Sequence, residues 1–164
     1  MVIDRLCDWA KGQNATVAYF YFDFADQKEQ SPTNILSSLL KQVVDGLKNV
    51  PTKIFQAFRA QKKAIGGEIV RILQDISSLQ QIFICIDALD ECMAEYRATL
   101  LHSLRQILHK SPNTRIFLAG RLHIWDEVEK HFAGKVVALP ITPTKDDFVR
   151  FLRAKLKEDT AWMR

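Results

Sequence analysis

The segment Gln81–Cys92, QIFICIDALDEC, places three carboxylates directly after a run of apolar residues. Asp87 ends the run IFICI, and Asp90 and Glu91 follow it three and four positions later. A carboxylate at the end of a buried strand is costly unless a cation or hydrogen-bond donors satisfy it. Mg²⁺ prefers oxygen ligands and commonly takes one or two carboxylates together with phosphate oxygens and waters. The spacing therefore predicts that Asp87 contacts such a metal and that the acidic pair polarises or positions an attacking water.

A second segment, Thr114–Arg121 (TRIFLAGR), brings Gly120 and an arginine to the end of another apolar run. If both runs are parallel strands, Arg121 lies at the same sheet edge as Asp87, where its guanidinium could reach a terminal phosphate. Two plainer interpretations stay open. The acidic pair could be first-turn acids that the dipole of the next helix favours, and Arg121 could form a structural ion pair with neighbouring acids.

Other catalytic and binding motifs are absent from the 164 residues. No G-x-x-x-x-G-K-[ST] phosphate cradle, no G-x-G-x-x-G dinucleotide fingerprint and no G-x-S-x-G nucleophile turn occurs. The four histidines lack metal-ligand spacing, and the three cysteines form no C-x-x-C pair. An odd number of cysteines, one of them inside an apolar run, indicates free thiols and a reducing, cytoplasmic compartment.

Hydrophobic periodicity predicts that helices alternate with strands along the chain. Continuous apolar runs predict strands at 16–22, 82–86, 115–119 and 136–139. Helical spacing predicts helices at 2–11, from 32 to 47, and at 52–63, 68–79, 95–109 and 124–132, with a last helix from 144 onwards. Ser31-Pro32 and the capping box Thr144-x-x-Asp147 mark two helix starts. The last helix is expected to turn its apolar residues inward, namely Phe148, Phe151, Leu152 and Leu156.

Strands separated by helices predict an α/β fold with a mostly parallel sheet, in which ligands bind beyond the carboxyl ends of the strands. The length suits a single domain. The charges, 23 Lys+Arg against 19 Asp+Glu, are interspersed and sum to only +4, so we expect no nucleic-acid partner. No apolar run approaches the ~20 residues that a membrane span needs, so we expect no membrane partner either.

The segments IFICIDALDEC, SPNTRIFLAGR and VVALPITPTKDDFVRFL, in this order, resemble the NACHT domain of STAND-class NTPases. The likeness is greatest to the nephrocystin-3-like N-terminal region of large fungal proteins, which is often followed by ankyrin or similar repeats. The opening VIDRL and the later VAYFYFDFADQ fit the same pattern, so the resemblance covers nearly the whole chain. It implies a three-layer, mostly parallel sheet of the P-loop NTPase (ASCE/STAND) type that is missing its first strand.

The resemblance also implies roles for the residues at the sheet edge. Asp87 matches the Mg²⁺-associated acid of the Walker B strand, while Asp90 and Glu91 match the acidic pair assigned to hydrolysis or its control. Arg121 matches the sensor-1 arginine that faces the γ-phosphate of ATP. Leu122 stands where the family usually has proline. The absence of the proline could loosen the turn after the sensor strand.

The beginning of the chain departs from the family pattern. VIDRL belongs, in the family, to the helix that follows the P-loop, so the resemblance implies that the first strand and its phosphate loop are missing. That strand would lie between the third and fourth predicted strands, and its loss would leave unpaired inner edges. We therefore expect residues 1–158 to be a partial NACHT-type domain and 159–164 to begin the following segment. ATP and Mg²⁺ would act in the parent protein, whereas this chain alone would bind neither tightly and would be inactive.

Three functions follow from these patterns. The first is a fragment of a NACHT-type signalling NTPase, whose parent switches between closed and oligomeric states with ATP and Mg²⁺. The partners of that parent would be other copies of itself and further, unidentified proteins. The second is a degenerate, non-catalytic interaction module of the same fold. The third, a Rossmann- or flavodoxin-like domain, is disfavoured because no glycine fingerprint is present.

Overall fold

The computed structural model describes residues 2–26, 29–47, 51, 52, 54, 56, 66–142 and 144–161. These residues belong to two compact units, Met1–Gly134 and Lys135–Arg164. The first unit contains a sheet and its helices, and the second contains one helix after an irregular segment. The domain boundary predicted after residue 158 stays a prediction. In the described parts of the chain, no helix combines the length and the apolar character that crossing a bilayer requires.

Helices and strands alternate in the first unit as the sequence predicts. Its helices are α1 (Val2–Ala10), α2 (Pro32–Asp45), α3 (Gly66–Ser77), α4 (Ala94–Lys110) and α5 (Trp125–Phe132). Its strands are β1 (Ala15–Tyr21), β2 (Gln81–Asp87) and β3 (Thr114–Leu118), so three of the predicted strands are confirmed to within one residue. Short 3-10 turns cover Phe24–Asp26, Leu89–Glu91 and Leu122–Ile124. The helix predicted over 52–63 lies mostly outside the described residues. Within that range the structure describes residues 52, 54 and 56, and all three are helical.

The three strands form one parallel sheet in the order β1–β2–β3, so β2 is the central strand. Thr16 pairs with Ile82, and Ile82 pairs in turn with Thr114. All five residues at 82–86 are buried. Because β2 has a neighbour on each edge and cover on each face, its sequence is continuously apolar instead of alternating. The predicted α/β fold with a parallel sheet is therefore confirmed.

Helices cover the two faces of the sheet unequally. α2 packs against β1 on the face that carries Thr16 and Ile82, and α3 and α4 continue the same layer beside it. The opposite face is covered at α1, where the ring of Trp9 meets Phe83 edge-on at a centroid distance of 5.5 Å. The helix layer, the sheet and α1 are the three layers that the resemblance implies.

Both helix starts that the sequence marks are confirmed. Ser31 caps α2 with its Oγ, which accepts a hydrogen bond from the Asn34 N–H at 3.3 Å, and Pro32 occupies the first turn. In the second unit, Thr144 donates from its N–H and its Oγ1 to Asp147 Oδ2, at 2.8 and 2.7 Å. These bonds favour the charged carboxylate and lower the pKa of Asp147. Helix α6 (Lys145–Ala161) begins at this capping box.

Two predictions for the second unit are wrong. Residues 136–139 form no strand, and Val137 and Leu139 are 86% and 82% exposed. An extended segment becomes a strand only when a neighbour satisfies its N–H and C=O groups, and the described part of the chain holds only the three strands above. The apolar stripe of α6 is exposed instead of inward, because the described part of its unit contains no second helix or strand on which it could pack; its members are Phe148, Phe151, Leu152 and Leu156.

Gly46 brings the end of α2 very close to the first strand. A Cβ at this position would lie 2.5 Å from Thr16 Cγ2 and 2.6 Å from Thr16 Oγ1. The Thr16 side chain cannot rotate away without cost, because its Oγ1 accepts a buried hydrogen bond from Gln80 Nε2 at 2.6 Å. Only glycine fits this approach.

We expect Gly46→Ala to lower the free energy of unfolding by about 1–3 kcal/mol, because overpacking forces side chains or backbone to shift. The matched control is Gly67→Ala in the first turn of α3, where a Cβ would meet nothing within 4 Å. This control should raise the free energy of unfolding by about 0.4–1 kcal/mol, since alanine restricts the unfolded chain. Urea unfolding of both variants measures the difference, and equal effects would contradict the close approach.

Candidate functional site

The carboxyl ends of the three strands lie side by side at one edge of the sheet. Tyr21, the last residue of β1, pairs with Asp87, the last residue of β2. Ala119, directly after β3, donates its N–H to the carbonyl of Ile86 at 2.8 Å. Asp87 therefore lies between the ends of the two outer strands, which is the place where open α/β sheets bind their ligands.

Asp87 is half-buried at this edge. Its Oδ1 accepts a hydrogen bond from the Ala88 N–H at 2.9 Å, and its carbonyl accepts one from the Phe22 N–H at 3.2 Å. The pKa of the neighbouring Tyr21 is raised, first by burial and then by the negative charges of Asp4 and Asp87. The carboxylates of Asp4 and Asp87 therefore both act on the Tyr21 hydroxyl at this edge.

Ala88 turns the chain sharply as it leaves β2. Its φ of 53° and ψ of 40° lie in the left-handed region, and it is the one non-glycine residue with positive φ in the described part of the chain. This conformation costs an L-residue about 1–2 kcal/mol. The turn sends Leu89 straight back into the core, where its side chain is fully buried. Burial of Leu89 offsets the backbone strain at Ala88.

Asp90 joins the loop after β2 to the loop after β3. Its Oδ1 accepts a hydrogen bond from the backbone N–H of Arg121 at 3.1 Å, and its Oδ2 lies 3.4 Å from Arg121 Nε. The Asp90 side chain is 8% exposed, whereas that of Arg121 is 78% exposed. The ion pair that the sequence left open for Arg121 is therefore present, but screening by water makes its own contribution to stability small.

Glu91 lies in the same 3-10 turn as Asp90 and is half-buried. Helix α4 begins three residues later, at Ala94, and its first-turn acid is Glu95. The alternative in which Asp90 and Glu91 serve as first-turn acids of this helix is therefore wrong. Both acids belong to the loop at the carboxyl edge of the sheet.

A second ion pair, which sequence reasoning missed, holds the start of α4 against α5. Arg97 Nε donates to Glu127 Oε2 at 2.7 Å, and its Nη1 donates to the carbonyl of Cys92 at 3.0 Å. Burial raises the pKa of the Cys92 thiol to about 11, so this thiol is protonated and inert at neutral pH. The two partners lie 30 positions apart, and no local periodicity signals such a pair.

The residues at the edge fit Mg²⁺ only as part of a larger ligand set. In the described parts of the chain, no three His, Cys, Asp or Glu residues come together as a metal site. Asp87 can supply one carboxylate, which is what Mg²⁺ takes when phosphate oxygens and waters complete its shell. Both oxygens of Asp90 face Arg121, one accepting its backbone N–H at 3.1 Å and the other lying 3.4 Å from its Nε. The geometry suits a metal that arrives with a phosphate ligand.

Comparison with known proteins decides the family. A family model described as "Nephrocystin 3, N-terminal" matches residues 1–121, which include all four predicted site residues. The chain belongs to the nephrocystin 3 N-terminal family. No curated protein matches it.

The fold of this family member is also similar to a solved structure, the Walker-type ATPase of Pyrococcus abyssi. The TM-score is 0.50 at 13% identity, and the match covers 96% of this chain and 57% of the ATPase. The chain thus spans little more than half the length of that protein. At this identity the likeness concerns the fold alone, which is that of a P-loop NTPase-like module.

We expect Ala88→Gly to raise the free energy of unfolding by about 0.5–1 kcal/mol, because glycine adopts the left-handed conformation without steric cost. The control is the same substitution at Ala98, which is exposed on α4. There it should lower stability by about 1 kcal/mol, the ordinary cost of glycine inside a helix. Denaturant unfolding checks both signs. Equal destabilisation of the two variants would contradict the left-handed turn.

Proposed function

We propose that this chain is the part of a NACHT-type signalling NTPase that carries the Walker B and sensor-1 segments. The parent protein would use ATP and Mg²⁺ to switch between a closed state and an oligomer of its own copies. One observation carries the proposal. Asp87 ends β2 at the same sheet edge that Arg121 reaches after β3, and Asp90 joins the loop after β2 to the loop after β3. Membership of the family and the Walker-type ATPase fold support it.

In this proposal each residue at the edge has a distinct role. Asp87 would hold the Mg²⁺ ion that, when bound, neutralises charge on the phosphates. The exposed guanidinium of Arg121 would contact the terminal phosphate, since it is permanently charged and offers several donors in one plane. The resemblance assigns the acidic pair, Asp90 and Glu91, to hydrolysis or its control. Three free cysteines fit the reducing, cytoplasmic compartment that we assign to the parent.

The second candidate is a non-catalytic interaction module of the same fold. Two observations favour it. The 164 residues contain no phosphate-cradle motif. In addition, several aromatic side chains on the α1 face of the sheet and on α1 itself are between 40% and 50% exposed, namely Trp9, Tyr19, Tyr21 and Phe117. An exposed aromatic face is typical of a surface used for assembly.

We expect the 164-residue protein to bind ATP weakly or not at all, with or without Mg²⁺. The principal phosphate ligands of this fold are backbone N–H groups of a glycine-rich loop at a helix start, and its sequence lacks that motif. Isothermal titration calorimetry with ATP measures this directly. Tight binding would contradict the expectation and would require a different phosphate site.

The role of Asp87 is tested in a longer form of the protein, extended at the N-terminus by a segment that contains G-x-x-x-x-G-K-[ST]. That segment is taken from the coding DNA upstream of Met1 if an in-frame motif of this kind exists there. We expect this form to bind ATP. Asp87→Ala should weaken the Mg²⁺-dependent part of binding by at least the roughly 10–100-fold that loss of an outer-shell partner causes. Asp75→Ala, an exposed carboxylate on α3, is the matched control and should change nothing. Unchanged Mg²⁺ dependence in Asp87→Ala would remove its assigned role, and a folded extended form without nucleotide binding would favour the interaction module.

A further inference from the structure

We propose that Asp90 is a positioning residue that fixes the loop after β3 to the loop after β2 and thereby presets Arg121. The family resemblance assigns Asp90 to hydrolysis or its control, together with Glu91. In the structure, Asp90 contacts Arg121 through both of its oxygens, once at the backbone and once at the guanidinium. The inference rests on the phosphate-contacting function proposed above for Arg121.

The burial of Asp90 argues against a role in activating water. A general base must lie within hydrogen-bond reach of the proton that it removes. The Asp90 side chain is only 8% exposed, and its two oxygens face the backbone N–H and the Nε of Arg121. Little of this carboxylate is therefore open to a water molecule.

The two loops approach each other closely at Gly120. A Cβ at Gly120 would lie 3.3 Å from Asp90 Oδ1, 3.4 Å from the Asp90 backbone nitrogen and 2.8 Å from Ile124 Cδ1. An added Cβ would therefore require the Ile124 side chain to rotate and the Asp90 carboxylate to shift by a few tenths of an ångström. The glycine that precedes Arg121 serves the approach of Asp90.

The hydrogen bond to Asp90 continues the pairing of the two strands beyond their ends. Ala119 donates to the carbonyl of Ile86 at 2.8 Å, and Leu89 donates back to the carbonyl of Ala119 at 2.9 Å. The next N–H that faces the β2 side is that of Arg121. Its acceptor is the Asp90 carboxylate, which takes the place of a strand carbonyl. The bond holds the backbone, so it does not depend on where the arginine side chain points.

The second contact of Asp90 is of a different kind. The guanidinium of Arg121 lies 3.4 Å away and is 78% exposed, so water competes with the ion pair. An arriving phosphate could take over the guanidinium while the backbone N–H stays on Oδ1. Asp90 would then hold the loop in both states, and only the side chain of Arg121 would exchange partners.

Two substitutions separate the backbone anchor from the ion pair. Asp90→Asn keeps an acceptor oxygen at the same distance from the main chain but loses the charge. Asp90→Glu keeps the charge but moves the carboxylate by one methylene. If Asp90 acts through the backbone of Arg121, asparagine preserves the loop and glutamate disturbs it; if the ion pair dominates, the order is reversed.

The test is hydrogen exchange of the amide of residue 121, measured by NMR on the 164-residue protein without nucleotide. We expect its protection factor to stay within about threefold of wild type in Asp90→Asn, and to fall by about tenfold or more in Asp90→Glu, because a hydrogen bond to a charged acceptor is lost. Arg121→Ala retains the N–H donor and should retain its protection. Glu95→Gln removes one exposed negative charge from the first turn of α4 and controls for net charge.

The reverse order, with protection lost in Asp90→Asn and kept in Asp90→Glu, would overturn the proposal in favour of the ion pair. Equal protection in all variants would overturn it as well. If circular dichroism shows that Asp90→Glu is unfolded, Asp90→Asn decides alone, since retained protection supports the anchor and lost protection refutes it. No nucleotide is present, so each of these outcomes is independent of whether the extended protein binds ATP.

Discussion

Burial of the central strand determines where every charged group of the site lies. β2 carries five consecutive apolar side chains into the core, and each buried isoleucine among them contributes about 1.5–3 kcal/mol. Any shift that drew this strand towards water would expose several of these side chains at once. Asp87 is the first polar residue after this apolar run, so the length of the run fixes the position of the carboxylate. Parallel pairing with β1 and β3 then brings the ends of both neighbours beside it.

A carboxylate at the rim of such a core needs donors, and the adjacent backbone supplies them. Asp87 accepts from the N–H of Ala88, and Asp90 accepts from the N–H of Arg121. The first bond is local, but the second crosses between two loops. Because the Arg97–Glu127 pair joins the helices that follow these same loops, the segment from Arg121 onwards is tied to the β2 side at two separate points.

Elements whose structure depends on local pattern could be predicted from the sequence. The three strand positions follow from continuous apolar runs, and the starts of α2 and α6 follow from caps at Ser31 and Thr144. Features that depend on distant partners could not. The segment 136–139 has the composition of a strand but finds no partner, and the left-handed turn at Ala88 leaves no mark in residue type. Asp90 and Arg121 were both singled out, but the N–H that joins them belongs to the backbone, about which side-chain patterns say nothing.

The two edges of the sheet differ in a way that bears on the strand expected to be missing. At β1, the side-chain amide of Gln42 accepts from the Tyr19 N–H at 3.0 Å and donates to its carbonyl at 2.9 Å, which closes the edge as a neighbouring strand would. At β3, the odd residues face β2, so the N–H and C=O groups of Ile116 and Leu118 face outward. Arg115 Nη1 donates to the carbonyl of Thr114, which also faces outward, at 3.1 Å, but no bond from a described side chain is found at Ile116 or Leu118, so the edge is uncapped from Ile116 onwards. An uncapped edge is a template for a further strand. The family resemblance expects its additional strand beside β3, which is the less capped of the two edges.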